Sequence, residues 1–182
     1  MKKIPKMIMI GSNARNSGKT WLCTYLIHKF SLNYNVIGIK AKTLYSEKDM
    51  PHFNNEIIEK QGFDIFEEHE VSDKNDTSKM RLAGAKKALF LQTKIEKIQE
   101  AVAKLTEYFD DNSLIICESN NLIGEISPSL FLLCTSNNPI NVKSNYQELE
   151  KKADLILKSD GEKFDFDIDR ISFNEENQKW EL

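Results

Sequence analysis

The chain has 182 residues, 40% of them hydrophobic, and 25 Lys and Arg against 28 Asp and Glu give a formal net charge of −3. That length supports one sizeable core, so a single α/β domain covering 1–182 is expected. The mildly acidic balance, with a pI near 5.7, gives no general attraction for nucleic acid, and no apolar run is long enough to span a bilayer.

Met1 to Lys6 carries charge without the apolar core of a signal peptide, so a cytoplasmic location is expected. Met7-Ile-Met-Ile10 then reads as a buried parallel strand. It breaks at Gly11 into a small polar loop, and Gly18-Lys19-Thr20 opens an apolar-periodic helix. In such a strand, loop and helix, backbone N–H groups converge on an anion, and the helix terminus adds partial positive charge. Phosphate is the natural occupant. Lys19 is positioned to reach the terminal phosphates of a nucleotide, and the Thr20 hydroxyl to ligate the Mg²⁺ that bridges them. The usual pattern has Gly where Asn13 stands, and Asn tolerates the left-handed turn that position needs. The candidate nucleotide cradle is Asn13, Ala14, Arg15, Asn16, Ser17, Gly18, Lys19 and Thr20, weighed against an ordinary strand-to-helix turn with a surface lysine.

Trp21, Leu22, Tyr25, Leu26 and Phe30 recur at helical spacing, so the first helix runs to about Ser31 with that stripe on the sheet. Val36-Ile-Gly-Ile39 follows as a strand parallel to the first. Lys40 to Pro51 reads as a loop leaving the carboxyl end of that strand, where ligand contacts gather in α/β sheets. Lys40, His52 and Asp49 are therefore site candidates, Asp49 as a metal ligand, each set against a solvated loop charge.

Phe53 to Gln61 is a short helix stopped by Gly62. From Phe63 to Ser78 the composition is acidic and polar without a clear period, either a disordered stretch or an ordered lid. Met80 to Leu91 and Ile95 to Phe109 are predicted helical, with Leu82, Ala85, Leu89, Ile95, Ile98, Val102 and Leu105 on one face. Leu114-Ile-Ile-Cys-Glu118 is a short strand ending in an acid, which beside a phosphate loop can hold Mg²⁺ through water or activate a water. Leu130 to Cys134 is a further strand, followed by a polar loop from Thr135 to Pro139. Tyr146 to Lys152 is a helix, and Ala153 to Leu157 the last parallel strand. The Asn-Lys-x-Asp run common in guanine-specific GTPases is missing, so GTP and ATP stay equally open. Phe164 to Phe173 alternates strictly, Asn174 to Asn177 can turn and Gln178 to Leu182 continues, predicting an antiparallel edge hairpin with outward Asp165, Asp167 and Asp169. Cys23, Cys117 and Cys134 occur singly in apolar contexts and read as buried hydrophobes.

Four stretches together resemble a known family, the accessory protein B of molybdopterin-guanine dinucleotide biosynthesis, within the simibi group of phosphate-loop proteins. They are Ser17-Gly-Lys-Thr20, Val36-Ile-Gly-Ile-Lys40, Asn75-Asp-Thr-Ser-Lys-Met-Arg-Leu-Ala-Gly-Ala85, and Leu114-Ile-Ile-Cys-Glu118. The third, with Ala83-Gly-Ala85 opening a long helix, carries most of the likeness. The resemblance implies a doubly wound, mostly parallel sheet with helices on both faces, the fold of phosphate-loop NTPases, and an antiparallel extension. It also implies GTP binding with slow Mg²⁺-dependent hydrolysis in molybdenum cofactor biosynthesis. Carried over, Lys19 and Thr20 take the phosphate and Mg²⁺ roles, Glu118 is the metal-side acid, and Asp76 and Thr77 lie near the terminal phosphate. A segment from Asp73 to Lys79 ordered by that phosphate would behave as a switch. The family departs from this chain at Asn13 and after Lys40. A partner enzyme of cofactor maturation is implied, and related proteins pair across the nucleotide face, where Arg15 would reach a neighbour's phosphates. The competing reading is an ATP-dependent ligase or kinase resembling dethiobiotin synthetase. There Lys19, Lys40 and Glu118 would surround a transferring phosphoryl group, with a second-substrate pocket facing it. A third reading is a nucleotide bound only for stability.

Overall fold

The computed structural model describes residues 1–46, 55–136, 145–160 and 163–182. Met7, Ile8, Met9 and Ile10 are all fully buried, as consecutive residues must be in a strand covered on both faces. They lie in β1 (Lys2–Ser12), whose loop leads into α1 (Lys19–Ser31) and then β2 (Asn35–Leu44). After these come α2 (Asn55–Gln61), β3 (Phe63–Glu68), α3 (Asp76–Leu82), β4 (Lys87–Lys94), α4 (Ile98–Leu105), β5 (Ser113–Glu118), β6 (Ile126–Ser136), α5 (Tyr146–Lys152) and β7 (Leu155–Ser159). A short pair, β8 (Ser172–Asn174) and β9 (Lys179–Glu181), ends the chain.

The main sheet has 7 strands in the order β3-β4-β2-β5-β1-β6-β7, parallel throughout except where β3 meets β4. Alternation along β1 divides the core in two. Met7 and Met9 pack with Ile98, Ala101, Val102 and Leu105 of α4 and Leu149 of α5. Ile8 and Ile10 pack with Leu22, Leu26, Ile27 and Phe30 of α1 and Met80 of α3 on the opposite face. Helices therefore cover both faces, as the pleat requires when neither side is polar. The three cysteines are free and buried, and burial pushes the Cys134 thiol up to about 12. Among the described residues no helix is long and apolar enough to cross a membrane.

Several expectations need correction. Met80 to Leu91 is not one helix: α3 ends at Leu82, and Ala88 to Leu91 are buried in β4 between β2 and β3. A short apolar run looks the same to periodicity in a helix or a covered strand. The break comes at Gly84, whose φ of 107° ends the turn in the left-handed region, while Leu82 stays exposed. Ala83-Gly-Ala85 thus closes a helix of 7 residues rather than opening a long one. The acidic stretch begins as β3, the antiparallel edge strand, and α3 is then started by a reciprocal cap between Asn75 and Ser78. Lys40 is not in a loop either, because β2 continues to Leu44.

The tail departs from a long edge hairpin. The Asp167 carboxylate accepts from the Asp169 N–H and the Asp165 carboxylate from the Lys158 N–H, local bonds that compete with a ladder. A 3-10 turn, Ile168–Arg170, interrupts the alternation. Among the described residues of the tail, Phe164 makes one isolated antiparallel bridge to Ser159, and β8 and β9 pair across the expected turn as a separate sheet of 2 strands. It packs on the α1 face through buried Trp180, whose indole N–H donates to the Lys6 carbonyl at 2.8 Å.

Candidate functional site

The loop between β1 and α1 is held from beneath. Asn120, just past the end of β5, accepts from the Ser12 N–H at 2.9 Å and donates to the Ser12 carbonyl at 2.7 Å. The Asn13 N–H donates to the Cys134 carbonyl at 3.2 Å. Ser12 and Ser17 hydroxyls both donate to the Ala14 carbonyl, at 2.9 and 3.0 Å. The backbone is left-handed at Asn16, φ 56°, and at Gly18, φ 83°. The left-handed turn expected at Asn13 is therefore absent; a ladder-like bond to β6 holds that residue, and the chain reverses three residues later.

Gly18 caps α1 without any side-chain bond, and no acid stands in the first turn, while His28 and Lys29 occupy the last. The first-turn amides are thus left for an outside acceptor, with the helix dipole favouring an anion. Ser17 is buried, Arg15 and Asn16 are exposed, and a cleft of about 400 Å³ over the loop is lined by Asn16, Ser17, Gly18, Lys19, Thr20, Trp21, Asp76 and Lys79. Lys19 Nζ donates to Ser12 Oγ at 2.8 Å and stands 3.9 Å from Glu118.

Strand register brings the other groups to the same place. Glu118 is the partner of Ile10 on β1 and of Lys40 on β2. The Glu118 side chain, 2% exposed, takes one hydrogen bond from Thr20 Oγ1 at 3.1 Å and a close ion pair from Lys40. Lys40 also pairs with Asp76 at 2.8 Å. Burial alone would push the Lys40 ammonium down, but Glu118 and Asp76 outweigh it and hold its pKa above the ordinary value. Burial likewise works to raise Asp76, yet the bond and charge of Lys40, with help from Lys79 and Thr20, keep its carboxyl below the usual range.

The chain matches no family model, no curated protein and no solved structure. What the site can do follows from its own donors and acceptors. Thr20, Glu118 and Asp76 form a set of hard oxygen donors beside an anion-receptive loop, and Mg²⁺ takes one or two carboxylates together with phosphate and water. Among the described residues no group of three or more His, Cys, Asp or Glu could hold a metal. Asp49 and His52 lie outside the described residues.

Beyond Lys19 a second cleft, of about 520 Å³, is lined by Lys40, Lys42, Asn75, Asp76, Thr77, Phe90, Glu118, Asn120 and Asn121 among others. Thr77 borders it but is buried, its hydroxyl donating to Asn75 Oδ1 at 2.8 Å and to Glu68 at 3.3 Å. Ser12 and Asn120 belong to this neighbourhood and carry no motif signal, while Asn75 and Lys79 fall inside the stretch 75–85 without standing among the predicted site residues. Trp21 was expected on the buried stripe of α1; instead it is 52% exposed at the edge of the loop cleft.

Proposed function

We propose that the chain binds a nucleoside triphosphate, ATP or GTP, over Asn13 to Thr20 and hydrolyses it slowly, as a phosphate-loop NTPase fold would. The observation that carries this reading is the start of α1, which has no side-chain cap and no acid of its own in the first turn, opening beside Lys19 and the Thr20–Glu118 pair. Main-chain amides and the Lys19 ammonium take the phosphates. Thr20 and Glu118 would hold Mg²⁺, which when bound neutralises phosphate charge. Slow turnover is what the resemblance of the four stretches implies, and the ion pair of Asp76 with Lys40 at 2.8 Å occupies that carboxylate, which fits a site without a free general base there.

Use of that binding as an accessory step in molybdenum cofactor maturation, docking a partner enzyme, rests on the resemblance of the four sequence stretches. A second reading, phosphoryl transfer to a small acceptor, is favoured by the cleft of about 520 Å³ that Lys19 and Lys40 both line. The two differ in what accelerates turnover: a protein partner in the first, a small hydroxyl, amine or carboxylate compound in the second.

Calorimetry of Mg·ATP and Mg·GTP against the parent and Lys19→Ala tests the common core. Saturable binding by the parent and its loss in Lys19→Ala is the expected outcome. Equal affinity in both removes the phosphate assignment from this loop.

A further inference from the structure

We infer that Trp21, backed by Tyr25 and Phe164, is the stacking surface for the base of the bound nucleotide. This rests on the triphosphate reading above and extends it to the opposite end of the ligand. The polar groups at Lys19 all come from one side of β1: Glu118 from β5, Lys40 from β2 and Asp76 from α3. A chain of phosphates whose terminal group meets them and that follows the loop would leave over the first turn of α1, through the cleft that Asp76 and Lys79 border and Trp21 also lines.

The apolar wall of that cleft is aromatic. Trp21 follows Thr20 directly and lines the same cleft as Asn16 to Thr20. Its ring lies 5.3 Å from that of Tyr25 at an interplanar angle of 19°, and 6.0 Å from that of Phe164. Phe164 follows β7 and lies close over the loop, so that a Cβ on Gly18 would come within 2.7 Å of its ring. The cluster is braced from behind. The Tyr25 hydroxyl bonds Asp169, and Lys29 Nζ donates to the Asp169 carbonyl at 2.7 Å and the Ile171 carbonyl at 2.9 Å. A large aromatic left 52% exposed on so fixed a support, one residue past the phosphate cradle, suits a planar base. Stacking of this kind reads area rather than hydrogen-bond pattern, so it favours purine over pyrimidine and does little to separate adenine from guanine.

The test uses the full chain, with Trp21→Ala and Trp21→Phe, titrated with Mg·ATP, Mg·GTP and inorganic triphosphate. Trp21→Ala is expected to weaken both nucleotides by about tenfold, to leave inorganic triphosphate unchanged, and to be largely rescued in Trp21→Phe. Acrylamide quenching gives a second readout because Trp180 is only 3% exposed. Nucleotide should shield the quenchable tryptophan and inorganic triphosphate should not. Unchanged nucleotide affinity in Trp21→Ala overturns the stacking role and leaves the phosphate site intact. Failure of the parent to bind either nucleotide or inorganic triphosphate overturns both.

Discussion

Lys40→Met tests the charge arrangement most sharply, because it keeps most of the side-chain volume and removes the cation shared by two acids. Taking one partner from a buried ion pair costs ~3–5 kcal/mol. Here the side chains of Lys40 and Asp76 are 22% and 35% exposed, and Lys19 stands 3.9 Å from Glu118 to take up part of the charge. Solvent and Lys19 together bring the expected loss to about 2 kcal/mol at pH 7. Urea unfolding reads this as a lower midpoint at unchanged slope. The sign of the pH dependence is fixed by the shifts. Asp76 has its folded pKa below the ordinary 3.8, so its contribution is present above that value and lost as pH falls through the folded pKa. Lys40 is raised above 10.5, so its contribution is complete below that value and lost as pH rises through the folded pKa. The deficit of the variant should be flat across the neutral range and narrow at both extremes. Millimolar Mg²⁺ should restore part of it by supplying charge to the same acids. A midpoint within about 0.5 kcal/mol of the parent, the range of ordinary surface substitutions, or a deficit that grows on acidification, would refute the reasoning.

Glu118→Gln keeps the bond from Thr20 and removes the charge that the proposed function assigns to Mg²⁺. Nucleotide affinity should change little while hydrolysis slows by tenfold or more, on the order of one good electrostatic contact; a collapsed fold in circular dichroism would instead assign Glu118 to structure. Gly18→Ala forces a left-handed residue at φ 83° and sets a Cβ against Phe164. It should lower stability by about 1–2 kcal/mol in urea unfolding and weaken nucleotide binding, and parental values for both would show that neither constraint acts.

The order of strand, loop and helix was legible because strand, glycine, lysine and helix follow one another within a few residues. An acid closing an apolar strand is common, and Glu118 stands out because that loop precedes it, its burial appearing only in the structure. The partners of that acid were harder. Lys40 lies 78 positions away, and the Asn120 clamp on Ser12 spans 108, separations that only the strand order brings together. The run from Ala88 to Leu91 carries the same letters a core helix would, and its identity as β4 is decided by the neighbours on either side. Trp21 shows the opposite failure: its spacing fits an apolar stripe, but Leu22, Cys23, Leu26, Ile27 and Phe30 form the buried face of α1 and Trp21 stands outside it at the loop cleft. In the tail, aspartates that alternate like an outward strand face spend their acceptors on nearby backbone.

Backbone amide shifts on titration with Mg·ATP address the central claim directly, since the claim concerns N–H groups. Saturable shifts concentrated at Asn16 to Thr20, abolished in Lys19→Ala, are the expected result. Amides of that turn left unmoved while nucleotide binds elsewhere, or does not bind at all, would contradict it.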